Sequence, residues 1–401
     1  MGVVTSLENA IGDRPGSPRL ARPARICFPF SGDAIGGSHY SALGLIRQFD
    51  RTHYDPLVVV QYPEGKIARL FREEQVQVVC PFAWPELPFD QPIGFNALRA
   101  MFVQLGRQVS FIRDNDIRIV HSNDGRTHST WALATKLAGA KLLWHHRGAP
   151  HSRGLRFFAP FVADKVLAVS EYGLPRPGPI SAAQIAEVVY SPFDTQIAVD
   201  RAESRRELVA EFDLPPDCLL VGYCGSFVAR KRPLLFVETI RTMRQLAPSR
   251  RVVGIMFGAA EDPRMDGAIR AKITELDDPA GMHLAGWRQD GARCIAGCDL
   301  LMIPAVDEPF GRTLVEAMLV GTPIIATRSG GNAEALRGGR LGRLVEAESA
   351  EALARAALDL TPQQAREIST AAQIDARSRF GLERHYKKVA QVYEALLASR
   401  S

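Results

Sequence analysis

Asp307-Glu308-Pro309-Phe310-Gly311-Arg312-Thr313-Leu314-Val315-Glu316-Ala317-Met318, followed by Gly321-Thr322-Pro323-Ile324-Ile325-Ala326-Thr327 and Gly330-Gly331-Asn332-Ala333-Glu334, decides how this chain of 401 residues is read. Pro309 and Gly311 make a tight turn, Thr313 to Val320 favours a helix that Gly321 stops, and the apolar run after it reads as a buried strand. The free amides of the helix start, near Gly311 to Leu314, carry roughly half a positive charge from the aligned peptide dipoles. A phosphate fits there. Glu308 precedes the helix and Glu316 lies about one turn inside it, so two carboxylates flank that position. Carboxylates repel phosphate and accept hydrogen bonds from hydroxyls, which suits a phosphate with a sugar ring on each side, as in a nucleotide sugar. The alternative is a surface turn with two solvated glutamates.

The block Glu308-Pro-Phe-Gly, Glu316-Ala-Met, Gly321-Thr-Pro, Ala326-Thr and Gly330-Gly331 resembles the E-x7-E block of the retaining GT-B glycosyltransferases of family 4. The resemblance implies that Glu308 contacts the donor hexose, that the amides of Phe310, Gly311, Thr313 and Leu314 meet sugar and phosphate, and that Glu316 holds the ribose diol.

With 46% hydrophobic and 23% charged residues the chain is an ordinary globular protein with apolar material for two cores. The formal net charge of +5 is compatible with an anionic substrate or an acidic membrane surface and too small to argue for nucleic acid. Six cysteines without a CxxC pair point to reduced thiols and an intracellular, cytoplasmic protein. Cys294 and Cys298 share a helix face without further ligands nearby and read as core residues, and no DxD metal motif appears, so no metal is expected. No stretch approaches the ~20 apolar residues of a membrane span. The N-terminus has no uninterrupted apolar core, so a signal peptide is not expected.

Residues 1–23 read as a flexible arm. Arg25 to Phe30 then forms a strand, Ser31 to Gly37 a glycine loop, and His39 to Phe49 a helix. The loop departs from GxGxxG and no acidic residue follows at the right distance, which argues against NAD. Through the resemblance, Gly36 and Gly37 face donor diphosphate and acceptor. Further apolar runs at Pro56 to Tyr62, Val76 to Cys80, Ile117 to His121, Lys141 to His145, Lys165 to Ser170 and Glu187 to Tyr190 alternate with helices, as in a parallel sheet covered on both faces. The helix expected over Phe95 to Asp114 is amphipathic and basic; it either packs on its own sheet or touches an anionic membrane surface peripherally, on the cytoplasmic face. Two strand ends carry polar chemistry: His121-Ser122-Asn123 and His145-His146-Arg147. Ligands of open α/β sheets bind beyond such ends. The family often has a second histidine where Asn123 stands, and which of His121, His145 and His146 meets substrate is left open.

The pattern restarts after Pro192, with strands at Cys218 to Cys224, Arg251 to Gly258, Met282 to Trp287, Asp299 to Ala305 and Leu341 to Val345. Between the first of these strands and a helix from Leu234 to Leu246 lie Arg230-Lys231-Arg232, three cations at a helix head that call for an anion. The family places Arg and Lys there against the donor diphosphate; Lys231 matches the Lys, but Ser226 stands at the Arg position, with Arg230 or Arg232 as its substitute. One lost charge-assisted hydrogen bond is worth roughly 1.5 to 3 kcal/mol.

The sequence therefore predicts an α/β protein of the GT-B kind, two doubly wound Rossmann-like parallel-sheet domains facing a cleft. Residues 24–195, completed by a C-terminal helix over 383–399, form the acceptor-side domain, and residues 196–382 the nucleotide-sugar domain. The expected activity is a retaining transfer of a hexose-type sugar from a nucleotide sugar (UDP, GDP or ADP) to an acceptor hydroxyl, without a further cofactor. Glu308, Lys231, His145 and His146 are the candidate catalytic residues. Gly36, Gly37, Arg230, Lys231, Arg232, Phe310, Gly311, Thr313, Leu314 and Glu316 are the candidate donor-binding residues. A nucleotide-sugar epimerase of the same fold and a non-catalytic nucleotide-sugar binder are the alternatives.

Overall fold

The computed structural model describes residues 22–82 and 95–399. The arm expected over residues 1–23 falls outside them up to residue 21. Seven strands make the first sheet: β1 (Ala24–Phe30), β2 (Tyr54–Val60), β3 (Gln77–Val79), β4 (Ile117–Ser122), β5 (Lys141–His146), β6 (Lys165–Ala168) and β7 (Ala186–Val188). Six make the second: β8 (Leu219–Cys224), β9 (Val252–Phe257), β10 (Met282–Gly286), β11 (Leu300–Ile303), β12 (Ile324–Thr327) and β13 (Arg343–Val345). Every pairing is parallel, and each strand falls within a few residues of the apolar run that announces it.

The spatial orders, β3-β2-β1-β4-β5-β6-β7 and β10-β9-β8-β11-β12-β13, are both doubly wound. Each reverses direction once, between β1 and β4 in the first sheet and between β8 and β11 in the second. Loops leaving the carboxyl ends at such a reversal diverge to opposite faces and open a crevice. Four segments leave these points: the glycine loop after Phe30, Asn123 after Ser122, the basic loop after Cys224, and the Asp307–Gly311 turn after Ile303.

Continuous apolar strands such as Val252–Phe257, buried along their whole length, are the signature of sheets covered on both faces. Apolar residues on both faces of the sheets form the cores. The helix Leu382–Ala398 crosses back to the first sheet, where Val389, Val392, Tyr393 and Leu396 pack with Phe28 and Tyr54. At the crossing Phe193 bridges Gly381, and the Phe193 amide donates to the Phe380 carbonyl at 2.9 Å. The helix Phe95–Asp114 packs Leu105, Val109, Phe111 and Ile112 toward the first sheet and leaves Phe102 and Val103 exposed. Among the described residues no helix is long and apolar enough to cross a membrane.

Candidate active site

The quoted stretch folds as the local chemistry requires. Gly311, at φ +72°, is the N-cap of the helix Arg312–Val320, and Gly321, at φ +74°, ends it with its amide on the Ala317 and Met318 carbonyls. Among the described residues no acceptor takes the amides of Gly311, Arg312 or Thr313, so the first turn keeps free donors. Gly330 shows why two glycines follow β12. At φ +58°, it lies so close to Glu308 that a Cβ would stand 2.3 Å from the Glu308 carbonyl oxygen. The Gly331 amide donates to that same carbonyl at 2.8 Å. The main chain carrying Glu308 is thereby clamped from behind, and its side chain is buried.

That carboxylate faces the basic loop. Arg230 and Lys231 both approach Glu308 Oε2, Arg230 in a direct ion pair and Lys231 with Nζ at 3.8 Å. The loops are tied together by the Val306 amide on the Arg230 carbonyl at 2.8 Å. Arg232 behaves differently. Its backbone is left-handed (φ +52°) as it caps the helix Pro233–Leu246, and its guanidinium pairs with Glu348, 2.7 Å from Nε to Oε1. Two of the three cations thus converge on the site and the third turns away. Ser226 is exposed, and Arg230 supplies the second positive charge.

Other candidates divide by atom. Phe310 and Leu314 are buried side chains, Phe310 stacking on Tyr190 with ring centroids 5.6 Å apart; the Leu314 amide, expected to meet the donor, already donates to the Gly311 carbonyl at 3.1 Å and is not free for a ligand. Thr313 and Glu316 are partly exposed. Glu316 stands 3.8 Å from Arg312 Nε.

Arg312 reaches across to the first sheet's side. Its Nη1 donates to Ser41 Oγ (3.2 Å) and to the Pro192 carbonyl (3.3 Å), its guanidinium lies 4.2 Å over the Phe193 ring, and its Cδ fills the space where a Cβ on Gly37 would sit. The loop bearing Gly36 and Gly37 is therefore in contact with the helix that bears Glu316. Further bonds join the two sides: Ser170 Oγ donates to the Pro309 carbonyl, the Tyr172 hydroxyl to Asp307 Oδ1 (2.8 Å), and the Glu171 amide and Tyr190 hydroxyl to the two oxygens of Glu334 (2.8 and 2.7 Å).

The structure does not bring His145 and His146 together. Successive residues of a strand face opposite sides, and His146 turns to the Ala149 carbonyl (3.0 Å). His145 lies on the other face, its Nδ1 3.0 Å from His121 Nε2, whose Nδ1 is 2.6 Å from the Tyr393 hydroxyl. Arg147 Nη2 also approaches His145 Nδ1, at 3.4 Å. A guanidinium only donates, so Nδ1 accepts and His145 carries its proton on Nε2; His121 then donates from Nε2 and accepts the tyrosine proton. Burial first and the Arg147 charge second hold both imidazoles neutral, with pKa values well below the usual histidine range. Arg147 completes the cluster through Asn123 Oδ1 (2.9 Å) and Ser191 Oγ (3.2 Å). Arg312, Tyr393 and Glu334 were not marked as site residues by the sequence; the partners that bring them to the site, Ser41 and Pro192, His121, and Glu171 and Tyr190, lie more than a hundred residues away, and no local pattern announces them.

Residues 219–362 match the family described as Glycosyl transferases group 1. The lipopolysaccharide core biosynthesis glycosyltransferase LpsE of Rhizobium meliloti is 29% identical over 40% of this chain and 42% of its own length. A D-inositol 3-phosphate glycosyltransferase of Stackebrandtia nassauensis is 30% identical over 45% of this chain and 42% of its own. The matched segment thus spans less than half of these curated relatives. In fold the likeness is longer: Anabaena HepE, solved in complex with UDP and glucose, superposes with a TM-score of 0.77 at 21% identity, covering 92% of this chain and 99% of that one. A glycosyltransferase from Rickettsia africae superposes at 0.76 with 17% identity over 94% and 100%. The two facing parallel-sheet domains are those of the GT-B fold.

Proposed function

From the match of residues 219–362 to the group 1 glycosyltransferases, we propose that this chain belongs to that family and moves a hexose from a nucleotide sugar to an acceptor hydroxyl with retention of the anomeric configuration. The observation that carries the reading is the convergence of Arg230, Lys231 and Glu308 Oε2 beside the free first-turn amides at the β8/β11 reversal.

In this reading the donor diphosphate lies on the amides of Gly311 to Thr313 and draws Lys231 and Arg230 to itself. Glu308, released from its ion pair, accepts hydrogen bonds from hexose hydroxyls, and Glu316 does the same for the ribose diol. As the bond from the anomeric carbon to the phosphate oxygen breaks, negative charge grows on the diphosphate. Donors fixed in advance stabilise that charge more than they stabilise the ground state. The acceptor hydroxyl, entering from the Gly36–Gly37 side, forms the new bond on the face the diphosphate leaves, and its proton passes to the departing phosphate oxygen. That order of events retains configuration without a protein nucleophile. His145 sits behind Arg147 as a buried neutral donor and is assigned a positioning role.

UDP-glucose is the first donor to test, since HepE was solved with it. The experiment is a thermal-shift panel of UDP-, GDP- and ADP-sugars, followed by NDP release with sugar and glycan acceptors and proton NMR of the new anomeric linkage. Stabilisation by one donor and a retained linkage support the proposal. No stabilisation by any nucleotide sugar refutes it, an inverted linkage refutes retention, and an isomerised nucleotide sugar formed without acceptor identifies an epimerase.

A further inference from the structure

The first-domain wall of the cleft holds positive charge that the donor reading does not use. Arg147 donates only to neutral acceptors, the oxygens of Asn123 and Ser191 and Nδ1 of His145, and among the described residues no carboxylate pairs with it. Arg312 is bonded to Ser41 Oγ and the Pro192 carbonyl, with its nearest carboxylate, Glu316, at 3.8 Å. Ser191 and Pro192 are consecutive, so the two guanidiniums grip neighbouring links of one segment. Burial first, and then the nearby Arg312 charge, pulls the Arg147 pKa down to about 9. Two like charges in one buried cluster, with Glu316 as the one counter-charge in ion-pair reach among the described residues, cost stability that this single pair offsets only in part.

Next to them is His39, whose Nδ1 accepts the Gly36 amide at 3.0 Å, so that its proton sits on Nε2. That nitrogen is buried without a partner, as is the protonated Nε2 of His145. The cluster therefore offers two guanidiniums and at least one spare imidazole donor, against Glu316 as the one acid in ion-pair reach among the described residues. It opens to the cleft where Gly36 is exposed and Gly37 touches Arg312.

Its donors come from the first domain and from Arg312, which crosses to it, whereas the proposed diphosphate position lies on Lys231, Arg230 and the first-turn amides. We propose that the acceptor carries an oxyanion, a phosphate monoester or a carboxylate, held between Arg147 and Arg312 with His39 as a further donor. This rests on the transferase reading and narrows its acceptor to an anionic class. Guanidinium forks match both groups, since each presents two oxygens in one plane.

The test uses the full chain, with UDP and inorganic phosphate as probes. With UDP saturating, phosphate should raise Tm further in the wild type. Arg147→Gln should weaken that phosphate response about tenfold, while Lys231→Ala should weaken the UDP response and keep the phosphate one. Arg312→Gln, at a partly exposed side chain, repeats the test should Arg147→Gln fail to fold. In turnover, glucose 6-phosphate and glucuronate should outcompete glucose as acceptor in the wild type, with the advantage carried in KM and lost in Arg147→Gln. Phosphate that competes with UDP would assign the anion to the donor site and overturn the proposal. So would an unchanged phosphate response in both arginine variants, or no response in the wild type. A phosphate response without any UDP response would sink the donor reading and leave the anion site standing.

Discussion

Lowering the pH should unfold the first domain well before ordinary acid denaturation. Six imidazoles are buried there or against it: beside His146, which also bonds the Ala149 carbonyl, they are the five of His39, His121, His128, His145 and His385. Burial, as the leading cause, holds His39 down to about 4 and His385 to about 3, and puts the other three well below the usual range. A histidine with a depressed folded pKa stays neutral in the native state while the unfolded chain takes up protons below ~6.5. Its contribution is therefore complete above that pH and is lost as the pH falls toward the folded value. At pH 5.5 each such group costs about 1.4 kcal/mol, and five cost about 7 kcal/mol, comparable to the whole stability of a typical domain at 5–15 kcal/mol. The assay is urea unfolding at pH 7.5, 6.5 and 5.5, read by tryptophan emission. Trp131 and Trp144 are fully buried in the first domain, whereas Trp287 is 69% exposed in the second, so the red shift reports the first domain. His385→Gln should remove one proton from the slope, about 1.4 kcal/mol per pH unit, while a Gln amide keeps a donor for the Tyr190 carbonyl that His385 Nδ1 now bonds at 2.7 Å. Equal stability at pH 7.5 and 5.5 would refute the neutral, buried imidazoles.

Gly330→Ala places a methyl 2.3 Å from a backbone oxygen at positive φ, so it should destabilise the second domain by roughly 2–4 kcal/mol and weaken nucleotide binding by moving Glu308; an unshifted melting curve would contradict the clamp. Glu316→Ala should reduce nucleotide affinity in calorimetry, and Lys231→Ala should lower kcat more than it raises Kd; wild-type values in both would count against the donor assignment. Tyr393→Phe leaves His121 Nδ1 buried without its donor and should cost about 1–3 kcal/mol in urea unfolding, with no change in nucleotide affinity.

The fold was legible because its cause is local. A strand buried on both faces must be a continuous apolar run, and runs such as Val252–Phe257 or Leu219–Cys224 stand out between glycine turns and amphipathic helices. Glu308, Gly311 and Glu316 were legible for the same reason, since a turn, a cap and one helical turn set their relation within nine residues. The histidine pair shows a signal that was present and unused. His145 and His146 are consecutive on a strand, so the period of two already forbids them from addressing one substrate together. Arg232 shows a signal that was absent: three cations in a row look equivalent until the left-handed backbone at Arg232 and the partner Glu348, more than a hundred residues on, separate one from the others. Arg312 is the strongest case. Its position inside the helix predicts only a neighbour for Glu316; its reach to Ser41, Pro192 and Gly37 depends on how two domains face each other, and that orientation is fixed by the returning C-terminal helix and the Phe193–Gly381 bridge. A residue whose role is set by the angle between domains has no sequence signature of its own, which is why the second cluster of positive charge became visible only in three dimensions.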